Sequence, residues 1–276
     1  MPELPEVETT RRGIEPMVAG RHVRAVHVYD ARLRWPVPST LAACLEGARI
    51  VGVDRRSKYL LFRVDRHGVP GTVLVHFGMT GSLRLVAESL PRGRHDHVDW
   101  VLDDGTRMRY HDPRRFGSMI WLPGEVPTHP LLDTLGPEPF GSAFDANYLR
   151  TRTRGRRAAI KVILMDSRVV AGVGNIYAAE SLFRAGIRPT TPAGRIATAR
   201  LEKLVTAVRG VLSEAIESGG STLRDYVDPE GARGRFQLVY RVYGRAGLPC
   251  RTCGATIRSI RLGQRASCYC PVCQSR

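Results

Sequence analysis

No long uninterrupted apolar run occurs in this 276-residue sequence, and no basic amphipathic helix, so neither a bilayer-spanning nor a membrane-surface protein is expected. The amino terminus lacks a basic segment followed by an apolar one, which argues against a secretory signal and for a reducing cytoplasm. Acidic residues run short: 26 Asp and Glu face 42 Lys and Arg, a formal net charge of +16. That imbalance points to a polyanionic partner. Arginine supplies most of the positive charge and is spread along the chain, which suits a phosphate-lined groove better than a basic tail. Cysteine is scarce at six. The chain is nevertheless long enough to bury a substantial core and to hold two or three structural units.

What the sequence does have begins at its start, Met1-Pro2-Glu3-Leu4-Pro5-Glu6-Val7. Removal of Met1, which a small following residue favours, leaves a proline with a free secondary amine. An α-amino group titrates near about pH 8, so part of it is unprotonated and nucleophilic at neutral pH. A secondary amine that attacks an aldehyde-like carbon and loses water gives a cationic iminium, an electron sink that acidifies the neighbouring carbon. Glu3 and Glu6 lie close enough in sequence to move protons for such chemistry. The same glutamates, with Glu8, also suit the first turn of a helix over Val7 to Met17, where acidic side chains meet the helix dipole.

Farther along, runs between Arg21 and Val53 such as Val23-Arg24-Ala25-Val26-His27-Val28 alternate apolar and polar residues with the period of strands. Arg55-Arg56-Ser57-Lys58-Tyr59-Leu60-Leu61-Phe62 puts Lys58 at the edge of an apolar strand. Val73 to Leu83 predicts strand, glycine-bearing turn and strand, with Met79 in the turn. His95-Asp96-His97 offers two imidazoles around a carboxylate, but no third ligand nearby supports a metal there. Leu135-Gly136-Pro137-Glu138-Pro139 interrupts both periods and marks a boundary. Beyond it the pattern is helical, over Asn147 to Thr153, Ala158 to Asp166, Asn175 to Phe183 and Thr198 to Ser218. Asn175 is expected as an N-cap behind Gly172 and Gly174, and a helix start of that kind is an anion site.

Near the carboxyl end, Cys250-x-x-Cys253 and Cys270-x-x-Cys273 are separated by sixteen residues, the spacing of a four-thiolate zinc site. The alternation Thr256 to Leu262 between them predicts a strand, hence a two-stranded zinc ribbon. Four protein ligands leave no open position, so one structural Zn²⁺ is expected. Two disulfides are the alternative, disfavoured in a reducing compartment. Cys44 and Cys268 are left over, and Cys268 breaks the knuckle spacing.

Pro2-Glu3-Leu4-Pro5-Glu6-Val7-Glu8-Thr9 resembles the amino terminus of the bacterial formamidopyrimidine-DNA glycosylases, repair enzymes that remove oxidised guanine. Further segments agree in order and spacing: Arg55 to Leu60; His76-Phe77-Gly78-Met79-Thr80-Gly81, with Phe77 where leucine is usual; Asp112-Pro113-Arg114-Arg115-Phe116-Gly117; Leu164-Met165-Asp166 with Val170 to Tyr177; and Gln264-Arg265-Ala266. The resemblance implies that Pro2 is the nucleophile, Glu3 a proton donor, and Glu6 and Lys58 organisers of the catalytic centre. Met79, Arg114 and Phe116 would fill the hole left by an extruded nucleotide. His76, His95, Arg156, Lys161, Asn175 and Tyr243 would contact DNA, and Arg265 would clamp phosphate and aid the second elimination. Arg156 stands where some members have lysine.

The fold so implied is multidomain α+β. A catalytic β-sandwich flanked by helices spans residues 1–135. A helix-two-turn-helix domain spans 136–235, with a lesion-capping loop at about 219–235, and a zinc ribbon spans 236–276; DNA would lie in the cleft between the halves. The implied function is a bifunctional glycosylase and abasic-site lyase acting on duplex DNA that carries oxidised purines or abasic sites. The implied setting is a monomer, cytoplasmic and nucleoid-associated. The related endonuclease VIII branch, which prefers oxidised pyrimidines, typically has glycine where Leu4 stands. A zinc-dependent DNA binder without catalysis is the rival from another class, and it would need no free terminal amine.

Overall fold

The computed structural model describes residues 2–125, 128–221 and 235–275. By packing, the chain groups into two units, Met1–Asp133 with Ser218–Arg235, and Thr134–Glu217 with Phe236–Arg276. The helical segment and the zinc ribbon thus share one unit, and the described residues just after the last long helix, Ser218 to Ser221, group with the amino-terminal one.

The first unit opens with helix α1 (Leu4–Val18), which along its whole length buries Leu4, Val7, Ile14 and Val18 on one face. Strand β1 (Val23–Val28) and helix α2 (Leu41–Leu45) follow. The sequence pattern predicts only strands between Arg21 and Val53. Leu41-Ala42-Ala43-Cys44-Leu45 instead forms a single helical turn, because Leu41 and Leu45, four residues apart, both reach the core.

Strands β2 (Arg49–Arg56), β3 (Tyr59–Arg66), β4 (Val69–His76), β5 (Ser82–Ala87), β6 (Asp96–Leu102), β7 (Thr106–His111) and β8 (Ser118–Pro123) complete two antiparallel four-stranded sheets, and helix α3 (Pro130–Asp133) follows them. The strand orders are β1-β6-β7-β5 and β2-β3-β4-β8. One core joins them: Ile50, Val53, Leu60, Phe62, Val73 and Val75 from one sheet pack with Val26, Leu83, Val98, Trp100, Met108 and Tyr110 from the other. The edge contact of Phe62 on Trp100, centroids 5.2 Å apart, bridges the layers. Leu61, Leu74 and Leu122 form a smaller cluster on the opposite face, covered by Leu131 and Leu132. On the shared-core face Gly71 is required, since a Cβ would lie 2.0 Å from the ring of Trp121, which packs against that core.

The second unit contains α4 (Ala146–Thr153), α5 (Ile160–Leu164), α6 (Asn175–Arg184), α7 (Thr198–Glu217) and the ribbon β9 (Arg258–Leu262) and β10 (Arg265–Tyr269). Asp145 caps α4 by accepting from the Tyr148 N–H at 2.7 Å. The helix expected over Ala158 to Asp166 is confined to α5, because Ala159 adopts an extended conformation and pairs with Pro192. Ala179 and Phe183 of α6 pack with Val242, Ile257, Cys268 and Cys270, the apolar seam that makes the ribbon part of this unit.

Candidate active site and zinc site

The entrance to α1 is built by a reciprocal pair. The Glu3 side chain accepts from the backbone of Glu6, while the Glu3 N–H donates to Glu6 Oε2 at 2.8 Å. Pro5 is tolerated because it falls at the first helical positions, whose N–H groups have no intrahelical partner. Glu6 is fully buried, and its other oxygen accepts the Ser221 N–H at 2.8 Å. Each Glu6 carboxyl oxygen thus accepts one backbone N–H, which fixes the side chain in place. Pro2 is buried next to Glu3, itself 3% exposed. The structure therefore sets Pro2 directly before two shielded carboxyl groups, one of them immobilised by two backbone amides.

Lys58 occupies the two-residue turn between β2 and β3, where Ser57 takes a positive φ of 57°. Arg55 ties that turn to α1: it donates to Glu8 Oε2 at 3.1 Å and to the Ser57 carbonyl at 3.0 Å. Burial raises the Glu8 pKa, but bonds from Arg11 and Arg12 outweigh it and hold the carboxyl below its ordinary range. His76 lies beside Lys58 electrostatically. Burial first, then the charges of Lys58 and Arg34, bring its pKa down to about 4. The Gly78 N–H points at His76 Nδ1 from 3.1 Å, so the neutral ring carries its proton on Nε2. The ring packs against Tyr59, centroids 4.8 Å apart, and both line a cleft of about 160 Å³ with Arg34, Trp35, Phe116, Ser118 and Leu131.

Met79, Arg114 and Phe116 come together. Met79 is half-buried, Arg114 is exposed, and Phe116 is 43% exposed with the Arg114 guanidinium stacked 4.7 Å from its ring centre. An exposed phenylalanine under an arginine is a side chain kept out of the core. His95 is half-buried; partial desolvation, then the charge of Arg94, lowers its pKa. Its ring meets His111 edge-on, and His111 Nδ1–H donates to Asp96 Oδ1 at 2.7 Å.

In the second unit, Asn175 is the first helical residue of α6 and Gly174 is its N-cap, which corrects the expectation that Asn175 caps the helix. Its side chain serves another bond, because Lys161 Nζ donates to Asn175 Oδ1 at 2.7 Å, to Ser267 Oγ at 2.7 Å and to the Ala266 carbonyl at 3.2 Å. Lys161 is 1% exposed. An ammonium spent on three protein oxygens orients Asn175 and the ribbon; it does not present a surface charge. Arg156 is exposed on the turn after α4, and Arg265 is exposed beside the ribbon's tip, Gly263-Gln264, where both φ angles are positive as a tight hairpin requires. Tyr243 is half-buried, its N–H donated to Glu180 Oε1 at 2.8 Å. Sequence reasoning missed Glu180. This buried carboxylate of α6 accepts three successive amides, from Arg241, Val242 and Tyr243. The available signal was a lone acid among apolar residues on a helix.

Cys250, Cys253, Cys270 and Cys273 bring their sulfurs within 4.8 Å of one another. Cys250 and Cys273 sulfurs are 3.9 Å apart and those of Cys253 and Cys270 3.4 Å. Tetrahedral ligation at a Zn–S length of about 2.3 Å needs sulfurs roughly 3.8 Å apart, so the cluster fits one structural zinc. Backbone N–H groups of Thr252 and Cys273 point at Cys250 and Cys270 sulfur, as in a thiolate knuckle. Cys268, on β10, is not in the cluster.

Three family models match the chain: the formamidopyrimidine-DNA glycosylase N-terminal domain over residues 1–119, the formamidopyrimidine-DNA glycosylase H2TH domain over 135–227, and the zinc finger found in FPG and IleRS over 247–276. Formamidopyrimidine-DNA glycosylases of Burkholderia thailandensis and Methylococcus capsulatus are 56% and 55% identical to it, over 99% of this chain and 100% of each relative. The crystal structure of the MutM (FPG) protein of Thermus thermophilus matches with a TM-score of 0.86 at 42% identity, covering 99% of this chain and 98% of that one. A Lactococcus lactis FPG variant solved with Fapy-dG containing DNA matches at 0.90 and 32% identity, covering 100% of both chains. The wild-type Lactococcus lactis enzyme solved with oxidised-pyrimidine DNA matches at 0.88 and 32% identity, again over 100% of both.

Proposed function

The chain belongs to the formamidopyrimidine-DNA glycosylases, glycosylases of DNA repair, and on that premise we propose that it excises oxidised purines from duplex DNA and then cuts the strand through a covalent intermediate on Pro2. The observation that carries the reading is the entrance to α1, where Pro2 is buried directly ahead of the Glu3 and Glu6 pair.

With Met1 removed, the Pro2 nitrogen attacks C1′ of the damaged nucleotide. The glycosidic bond breaks, the Pro2 nitrogen sheds its proton, and the base leaves with its electron pair and takes up a proton in exchange. Glu3 protonates the ring oxygen as the sugar opens, leaving an iminium between Pro2 and C1′. The iminium acidifies C2′; loss of that proton expels the 3′ phosphate, and a second proton loss expels the 5′ phosphate. Water then releases Pro2. Each step is a heterolysis or proton transfer, so the electron count closes with no oxidant or reductant. Glu6, fixed by the Glu3 and Ser221 amides, orients the terminus. Lys58, on a turn held by Glu8 and Arg55, supplies a cation to a phosphate beside the reacting sugar.

Because C1′ cannot be attacked inside the stack, the nucleotide must be turned out, with Met79 and Phe116 filling the gap and Arg114 hydrogen-bonding the orphaned base. Asn175, Arg156 and Arg265 grip the backbone, and the zinc holds the ribbon that carries Arg265. The part of the expected capping loop at 222–234 lies outside the described residues.

Incubation with an 8-oxoguanine duplex and borohydride tests this. The wild type is expected to become covalently linked to DNA, and Pro2→Gly to lose most of the adduct. A binder without catalysis gives none. A pyrimidine lesion belongs in the same assay, since a relative was solved with one; faster excision of pyrimidine than purine lesions would move the protein to the endonuclease VIII-like reading.

A further inference from the structure

The three side chains proposed to enter the duplex come from two separate segments, the turn after β4 and the loop after β7, and one buried acid joins those segments. Asp112 is fully buried. Its Oδ1 accepts the Thr80 hydroxyl at 2.8 Å, from the residue after Met79, and the Arg114 N–H at 3.3 Å; its Oδ2 accepts the Gly117 N–H at 2.8 Å, from the residue after Phe116. The Thr80 hydroxyl oxygen also accepts from the Arg114 N–H at 3.3 Å. The backbone of Asp112 reaches the fourth candidate contact, because its N–H donates to the His95 carbonyl at 3.0 Å and its carbonyl bonds His97 Nε2 at 2.8 Å.

Two glycines press the segments together. A Cβ on Gly78 would stand 2.3 Å from the Phe116 carbonyl carbon, and one on Gly117 would stand 1.8 Å from the Tyr110 hydroxyl and 2.4 Å from the His76 carbonyl. The backbones therefore touch where Met79 and Phe116 branch off. We propose that Asp112 is the positioning residue of the intercalating apparatus: with Thr80 it locks the Met79 turn and the Arg114–Phe116 loop into one block, so that the three wedges enter the duplex as a unit. This rests on the reading of Met79, Arg114 and Phe116 as wedges given above.

The chemistry of the pocket says what substitution does. Asparagine is nearly the size of aspartate but offers one acceptor oxygen in place of two. Its oxygen can keep the Gly117 N–H and its amide can turn to Thr80, whose hydroxyl can accept; the Arg114 N–H then faces a donor. Thr80→Val removes the hydroxyl from the same junction, and Thr80→Ser keeps it.

The test compares single-turnover excision of 8-oxoguanine paired with cytosine against strand cutting at a preformed abasic site, which has no stacked base to displace. Asp112→Asn and Thr80→Val are expected to slow the paired-lesion reaction at least tenfold and the abasic reaction less than threefold, with Thr80→Ser near wild type. Asp112→Asn added to Met79→Ala should slow the paired-lesion reaction less than twofold beyond Met79→Ala alone, because a unit is lost only once. Equal losses on both substrates, no loss on either, or multiplicative losses in the double variant overturn the proposal. Melting temperature and zinc content are measured alongside, and should Asp112→Asn fail to fold, Thr80→Val against Thr80→Ser decides. If Met79→Ala itself leaves the ratio of the two rates unchanged, it is the wedge reading that fails instead.

Discussion

His76 shows how much a single side chain can hide behind an ordinary name. Its pKa falls from 6.5 to about 4, through burial first and then Lys58 and Arg34. The unfolded imidazole binds a proton as pH drops through 6.5, whereas the native one waits until about 4. Between those values the unfolded state holds more protons, so native stability falls as pH falls. His76→Gln should remove that share of the slope, up to about 3 kcal/mol. Denaturation of both proteins at pH 7 and pH 4.5 checks this, and parallel losses would show that His76 is not the group responsible. Lys161→Met belongs at the same scale. It strips the donor from Asn175 Oδ1 and Ser267 Oγ, and leaving buried acceptors unmet costs about 1–3 kcal/mol. The melting temperature should drop, and affinity for an abasic duplex should fall about tenfold, without adding to the loss from Asn175→Ala. The roles proposed for Pro2, Glu3 and Lys58 come from the family resemblance of their segments, since residue type alone also allows helix-start acids and a solvated strand-edge lysine. The burial of Lys161 was not legible in the sequence, since its partner Ser267 is 106 residues away. Glu180 and Asp112 escaped for the same reason: each is defined by amides that only the tertiary fold delivers.

Among elements, the zinc ribbon was the most legible. Cysteine spacing gave the ligands, strand alternation gave β9, and the Gly263-Gln264 turn closes β9 onto β10 with Leu262 opposite Arg265. A metal site of this kind contributes its binding free energy to folding. Cys250→Ser should therefore release zinc, measured with a chromogenic chelator, and weaken DNA binding at least tenfold. Unchanged affinity with the metal gone would refute the clamp role of Arg265. The short helices were least legible. A five-residue helix such as α2 carries too little periodicity to distinguish itself from strand alternation, and α5 is cut short by the pairing of Ala159 with Pro192, invisible from local sequence.

For the whole molecule, charge was plain and architecture was not. A net charge of +16 predicts binding that collapses with salt, because each neutralised phosphate releases a counterion. If roughly six phosphates are engaged, affinity should fall about a thousandfold between about 50 and 200 mM salt. A slope near zero would mean that the arginines serve something other than a polyanion. The sandwich itself could not have been derived from periodicity. Its orders, β1-β6-β7-β5 and β2-β3-β4-β8, leave β1 beside β6 and β4 beside β8, pairings that alternation in single strands does not specify. The common core that joins the sheets, with Phe62 against Trp100, explains afterwards why those strands had to be apolar on one side.

That core also sorts the tryptophans. Trp100 is 1% exposed, whereas Trp35 is 44% exposed on the wall of the cleft it shares with Phe116. The chain thus carries its own optical gauge: emission from Trp35 is open to acrylamide, and Trp100 with the half-buried Trp121 supplies a more shielded background. A lesion duplex that seats against Phe116 will screen the indole from the quencher, so engagement can be timed by stopped flow in unlabelled protein, ahead of any chemical step.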